Sequence, residues 1–178
     1  MSKVQAQQSQ QAPELREELV KVMRTAKVVT GGRQFSFTVV VVVGDGKGKV
    51  GYGLGKAKEV PQAIAKAVEA AKKSMKQFNL HGKTLHHPII ARHGATKVFM
   101  RPAAPGTGII AGGAMRPVFK VMGLEDVLAK VIGSCNPLNV VAATIKGLES
   151  MTNPVEVSKR RGLNVLRQIS KKGEDNGN

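Results

Sequence analysis

A run of five valines at residues 39–43, followed directly by a glycine-rich segment, constrains the fold of this chain more than any other stretch. β-branched side chains favour strands, and apolar residues at consecutive positions indicate a strand that is buried on both sides. Toward the N-terminus the aromatic residues continue one of the two faces with the period of a strand. We therefore expect Phe35, Phe37, Val39 and Val41 to form a buried face.

The segment after the valines has a second strand pattern, in which every other residue is glycine. Val50, Tyr52 and Leu54 alternate strictly with Gly51, Gly53 and Gly55. A strand with one glycine face implies that another part of the chain approaches its backbone closely.

A helix follows this strand, and Pro61 suits its first turn. Its predicted apolar stripe consists of Ile64, Ala67, Val68, Ala71, Met75 and Phe78. Residues 79–87 break the helical pattern and are predicted to be a linker.

Gly46, Gly48 and Gly51 have the spacing G-x-G-x-x-G, which in a dinucleotide site opens a helix directly. Here a strand intervenes before the helix, so the spacing does not predict a nucleotide site. The segment predicts a β-turn with Lys47 and Lys49 at its tip. Two readings stay open: the exposed amides and lysines contact RNA phosphates, or the turn is simply a solvated hairpin.

Residues 15–30 suit a helix by composition but also contain a β-like run of valines. Gly31 and Gly32 stand between this run and the next strand, which favours a β-hairpin.

The second half predicts two short strands joined by a turn at residues 93–95, a short helix closed by Gly123, and another strand. Asn136 and Pro137 then predict the cap and first turn of a longer helix. The class is α+β, with two compact units. The predicted division is a disordered tail at 1–13, an RNA-binding domain at 14–80, a second α+β domain at 83–153 and a basic tail at 154–178.

The chain carries 28 Lys and Arg against 12 Asp and Glu, a net charge of +16. Such an excess favours nucleic acid as the partner over a membrane surface or a basic enzyme without a polyanion. A single cysteine excludes an intramolecular disulfide and fits a reducing cytoplasm. We find no pattern for a signal peptide, a membrane span, a catalytic group, a cofactor or a small-molecule substrate. The histidines, His81, His86, His87 and His93, lack the spacing of metal ligands.

Several long segments resemble the bacterial small-subunit ribosomal protein five family. They are GGRQFSFTVVVVVGDGKGKVGYGLGKAKEVPQAIAKA, HPII, KVFMRPAAPGTGIIAGGAMRPV, VLAKVIGSCNPLNVVAATIKGLE and KRRG, between about residues 15 and 162. The resemblance implies a three-stranded sheet plus helix, related to double-stranded-RNA-binding domains, followed by a βαββα-type domain. It also implies binding to small-subunit rRNA without catalysis, contacts with ribosomal proteins four and eight, and a place along the path by which mRNA enters. An influence on translational accuracy, and a first hairpin near the spectinomycin site, belong to the same family pattern.

The resemblance also gives site residues. The first hairpin contributes Arg24, Lys27, Gly31, Gly32 and Arg33, with Thr30 standing where many members have lysine. Lys47, Lys49, Lys56 and Lys58 complete the candidate RNA-binding set. Gly108 and Arg116 fall at positions tied to the interface with ribosomal protein four. A free RNA-binding regulator is the alternative to a ribosomal constituent.

Overall fold

The computed structural model of the protein describes residues 15–162. The predicted disordered tail, and the basic tail beyond residue 162, lie outside the described residues. The elements in chain order are β1 (Arg16–Val29), β2 (Gly32–Gly44), β3 (Lys49–Ala57), α1 (Val60–Lys73), β4 (Lys76–Gln77), β5 (Ile89–His93), β6 (Thr96–Pro102), β7 (Ile109–Ile110), α2 (Arg116–Met122), β8 (Val127–Gly133), α3 (Pro137–Glu149) and α4 (Pro154–Arg161).

The first sheet is antiparallel, in the order β1-β2-β3-β4. It contains the three predicted strands and a two-residue fourth strand, β4, that the sequence did not predict. The strand assignment of residues 16–29 is confirmed, with a register shift between Leu19 and Lys21. Val39 to Val43 are all buried, as expected from apolar side chains on both faces.

Helix α1 packs directly on the glycine face of β3. A Cβ built on Gly53 or Gly55 would lie 2.0 Å from the carbonyl oxygen of Ala67 or Ala63, respectively. The prediction of a close backbone approach is confirmed. The buried residues of the helix are Ala63, Ala67 and Ala71, whereas Ile64 and Val68 of the predicted stripe are half-buried.

The predicted stripe was too long, because the helix ends at Lys73 with Ser74 as its C-cap. Phe78 lies beyond β4, where its amide donates to the carbonyl of Gly48 at 2.9 Å. The expected linker is also packed rather than free: Leu85 is buried, and His81 and Thr84 form an isolated β-bridge.

The second sheet is mixed, in the order β5-β6-β8-β7, with β7 parallel to β8. Its elements run β5-β6-β7-α2-β8-α3, which differs from the βαββα order that the resemblance implied. The capping prediction for α3 is confirmed, because the Asn136 side chain accepts a hydrogen bond from the Leu138 amide. Helix α4 lies at the start of the predicted basic tail.

A larger core joins the two sheets. Val42 and Val50 of the first sheet belong to the same buried cluster as Val118, Phe119 and Val121 of the second half. A smaller core lies between the first sheet and α1. The α+β class with two domains is confirmed.

Candidate nucleic-acid interface

The hairpin of β1 and β2 extends past the rest of its sheet. Strand β3 pairs with β2 only from Phe37 to Gly44, so beyond the Arg24–Phe37 pair residues 25–36 form a two-stranded ribbon with no third strand beside it among the described residues. We call residues 24–36 the arm. Because Phe35 lies on the arm, its side chain is 46% exposed, and its expected place in a buried face was wrong.

The predicted basic residues of the arm divide between its two faces. Cross-strand pairs share a face, so the pairs Arg24–Phe37 and Val28–Arg33 place both arginines on the same side, with Phe35 between them. The guanidinium carbon of Arg24 lies 3.8 Å from the centre of the Phe35 ring, a cation–π contact. Lys27 points to the opposite face.

The tip of the arm requires glycine. Residues 30 and 31 form the turn, and Gly31 and Gly32 have φ angles of +95° and +149°. Side chains rarely adopt such angles, whereas glycine does so without steric cost. The backbone geometry therefore explains both glycines that the resemblance assigned to this site.

Two further lysines lie at the base of the arm. Lys56 pairs with Thr38 near the end of β3, and Lys58 lies in the connection to α1. Both are exposed. Together with Arg24, Lys27 and Arg33 they make the arm and its base a cationic surface.

The turn between β2 and β3 does not present its amides to a ligand. The amides of Lys47 and Lys49 donate to Asp45 Oδ1 at 2.8 and 2.9 Å. Those of Gly46 and Gly48 donate to the carbonyls of Val121 and Met122, at the end of α2. The interpretation in which exposed amides bind phosphate was therefore wrong. The lysine side chains remain exposed.

The structure separates this turn from the arm. Strand β2 runs from the tip of the arm at Gly32 to the turn at Gly44. At about 3.3 Å per residue, the two ends are roughly 40 Å apart. The nine candidate RNA-binding residues therefore form two groups, one at the arm and its base, and one consisting of Lys47 and Lys49.

The two candidate protein-interface residues lie on either side of β7. The amide of Gly108 donates to Asp126 Oδ1 at 2.9 Å, and its φ angle of +78° again suits glycine. Arg116 is the exposed first residue of α2 and lines a groove of about 730 Å³ that also contains Lys21 and Lys130.

Sequence reasoning missed two carboxylates, Asp45 and Asp126, that hold loops in place by accepting hydrogen bonds from backbone amides. Asp45 follows a recognisable pattern, since Asp at the start of a turn accepts hydrogen bonds from amides two or more residues on. Asp126 is buried and fixes the Gly108 loop, and nothing in its local sequence indicates that contact.

Three of the four histidines lie in the segment before β5: the ring centroids of His81 and His86 are 5.6 Å apart, and His87 Nε2 accepts a hydrogen bond from the Thr152 amide at 3.4 Å. His86 is partly buried, and this burial lowers its pKa, with a smaller contribution from His81 and His87. Its Nε2 atom has no hydrogen-bond partner within residues 15–162. In that part of the chain no group of three His, Cys, Asp or Glu side chains could hold a metal ion. Nor is any of its helices long and apolar enough to cross a membrane.

Comparisons with known proteins match both halves of the chain. Residues 15–79 match the ribosomal protein S5 N-terminal domain, and residues 91–161 match the ribosomal protein S5 C-terminal domain. The chain is 60% identical over 156 residues to small ribosomal subunit protein uS5 of Marinobacter nauticus, covering 88% of this chain and 94% of that protein. It is 62% identical over 151 residues to the protein of that name from Nitrosococcus oceani, covering 85% and 89%.

The fold, the charge and these matches together define a ribosomal protein of the small subunit. The chain belongs to the ribosomal protein S5 family, also named small ribosomal subunit protein uS5. It is a structural constituent of the small ribosomal subunit, not an enzyme, and it acts in the cytoplasm within the ribosome.

Proposed function

We propose that this protein binds small-subunit rRNA through the arm and its base, while its second domain contacts neighbouring ribosomal proteins. The observation that carries the proposal is the arm itself, beside which residues 15–162 place no third strand, with Arg24, Lys27 and Arg33 exposed on it. Its two strands pair with each other, so the groups that can meet a partner are its side chains and the unpaired backbone groups along its two edges.

Charge and shape explain why RNA is the expected partner of the arm. Lysine and arginine displace condensed counterions from phosphates, which gives affinity without sequence readout. A narrow ribbon with cations on both faces can enter a groove or a junction where phosphates surround it. A flat cationic patch could meet phosphates on one side only.

We assign the groove beside Arg116 to the contact with ribosomal protein four. An exposed guanidinium at the start of α2 can form a bidentate contact with a carboxylate on a neighbour. Gly108, held by Asp126, shapes the adjoining loop. Contact with ribosomal protein eight, a place along the path by which mRNA enters, and an influence on accuracy complete the proposal. The domain division at 14–80, 83–153 and 154–178 forms part of it.

Co-sedimentation with chemical footprinting tests the proposal. A ribosomal constituent leaves the cell extract with the small subunit and protects discrete rRNA nucleotides, and the variant Lys27→Gln/Arg33→Gln should lose part of that protection. A chain that stays in the supernatant would instead be a free RNA-binding regulator.

The interface assignment has its own test. Arg116→Leu should weaken docking to ribosomal protein four, leave rRNA affinity nearly unchanged and raise misreading. A matched loss of rRNA affinity would make Arg116 a phosphate ligand and contradict the interface.

A further inference from the structure

The second sheet has one face that no helix covers within the described residues. Its inner face packs on α3: a Cβ on Gly147 would lie 2.4 Å from Met100 Cε and 3.0 Å from Ala91 Cβ. Side chains alternate across a strand, so the residues between these buried positions point the other way. We call that outward side of β5, β6, β7 and β8 the open face.

The open face is cationic. The register β5-β6-β8 places Arg92 beside Lys97, and Arg101 and Lys130 on the same side of the sheet. All four are exposed.

The open face also has an apolar centre. Phe99 lies on an inner strand, between Ile90 of β5 and Lys130 of β8. Ile90 and Ile132 are 66% and 50% exposed and lie on the same face as Phe99. Exposed apolar side chains that share one face mark an interaction site, whereas isolated ones do not. A depression of about 210 Å³ opens beside Phe99, lined also by Ile110, Arg101 and Lys130.

We propose that the open face is a second RNA-binding surface, which takes an unpaired RNA segment with a base stacked on Phe99 and its phosphates on the surrounding cations. The inference rests on the proposed function for its class of partner, but it uses residues that the arm does not contain. An aromatic ring on a β-sheet, with cations around it, suits single-stranded RNA, because every base has a face that can stack.

The aromatic ring of Phe99, rather than charge alone, decides between RNA and a protein partner. The side chains that the register brings to this face are apolar or cationic, so an acidic peptide would satisfy the cations. It would leave the depression beside Phe99 without the flat group that fits an aromatic ring. A nucleotide supplies both the anion and the ring.

The test uses the full-length chain and two labelled probes, an unstructured oligoribonucleotide of about 12 nucleotides and an RNA duplex of about 16 base pairs. The variants are Phe99→Leu and Lys97→Gln/Arg101→Gln. The control, Lys66→Gln/Lys146→Gln, also removes two positive charges, but from exposed positions on α1 and α3. Thermal unfolding checks that each variant is folded.

We expect Phe99→Leu to weaken binding of the single strand by about tenfold, with little effect on the duplex. The double variant should lower the salt slope for the single strand by about 1.4, at about 0.7 per lost phosphate contact. The control should change neither. Ultraviolet cross-linking of the single strand should label the peptide that contains Phe99.

If both open-face variants bind the single strand as the control does, the open face is not an RNA surface. If they also fail to enter small subunits, it is a protein-docking surface. If the wild-type chain binds neither probe, the proposed function fails and the inference fails with it.

Discussion

The amide of Gly46 donates a hydrogen bond to the carbonyl oxygen of Val121 at 2.9 Å, and this contact joins the first sheet to helix α2. Gly48 makes the corresponding bond to Met122 at 3.0 Å. The glycine-rich turn between β2 and β3 is therefore a joint between the two halves of the chain. An ion pair between Glu18 and Lys120 bridges the same halves nearby.

Gly123 tests this joint. Its φ angle is +88°, and a Cβ there would lie 2.2 Å from the carbonyl oxygen of Gly46. Gly106 has a similar φ of +86° but open space around it. Backbone strain alone should make Gly106→Ala cost about 1 kcal/mol, whereas Gly123→Ala should cost at least about 2 kcal/mol more because two backbones would be forced apart. Urea unfolding of both variants measures the difference, and equal costs would contradict the joint.

The glycine face of β3 leads to a second stability prediction. A Cβ at Gly53 would lie 2.0 Å from the Ala67 carbonyl oxygen, and neither backbone can move without separating α1 from the sheet. Gly53→Ala should therefore lower the free energy of unfolding by about 3 kcal/mol or more. Gly113→Ala is the matched control, since nothing lies within 4 Å of its Cβ. It should stay within about 0.5 kcal/mol of the wild type. A tolerated Gly53→Ala would mean that α1 does not sit so close to β3.

The packing of α1 on β3 could be predicted from the sequence in part. The alternation at residues 50–55 indicated a close backbone approach, and the helix that follows indicated its partner. The predicted apolar stripe of that helix included Ile64 and Val68 beside Ala67 and Ala71. A glycine face admits only alanine-sized side chains, so Ala63, Ala67 and Ala71 are the buried ones.

Contacts between segments distant in sequence were the part that could not be predicted. The amides of Gly46 and Gly48 find their acceptors in α2, more than seventy residues away, so their local sequence looked like an exposed turn. Strand β7 has only two residues and exists because it pairs with β8. At the candidate site, the family resemblance supplied the basic residues of the arm, and their role stays a prediction. Phe35 looked buried because its strand pattern does not reveal that β3 stops at Ala57.

His86 predicts how stability depends on pH. Burial lowers its pKa in the folded protein, helped by repulsion from His81 and His87 and opposed by Glu156. The unfolded state, with a pKa near 6.5, then binds more protons than the folded state as the pH falls below that value, so stability falls too. The melting temperature should drop between pH 7.5 and pH 5, and His86→Gln should drop less. His93→Gln, which removes an exposed imidazole instead, is the control. An unchanged drop in His86→Gln would show that other groups cause it.

The tip of the arm can be altered without unfolding the protein. Replacing Gly32, whose φ is +149°, by valine should reshape the turn at a cost of about 1 kcal/mol or more. The core at Val39 to Val43 is distant, so assembly into small subunits should remain near normal. The family resemblance implies that the arm lies near the spectinomycin site. Sensitivity to spectinomycin should therefore change, as measured by growth across a series of drug concentrations.

Thr30→Ala serves as the control for that experiment, because it leaves both glycines in place. Normal assembly with unchanged drug sensitivity in Gly32→Val would contradict the placement of the arm. Failed assembly would show instead that the glycine is needed for folding.

The salt dependence of rRNA binding tests the central claim most directly. The full-length wild type, the arm variant Lys27→Gln/Arg33→Gln and the charge-matched control Lys66→Gln/Lys146→Gln are titrated onto small-subunit rRNA at several salt concentrations. Each lost phosphate contact should lower the slope of log affinity against log salt by about 0.7 to 0.9. The account predicts a slope reduced by about 1.4 to 1.8 in the arm variant, and a slope in the control close to that of the wild type. An arm variant with the wild-type slope and affinity would contradict the claim that the arm binds rRNA.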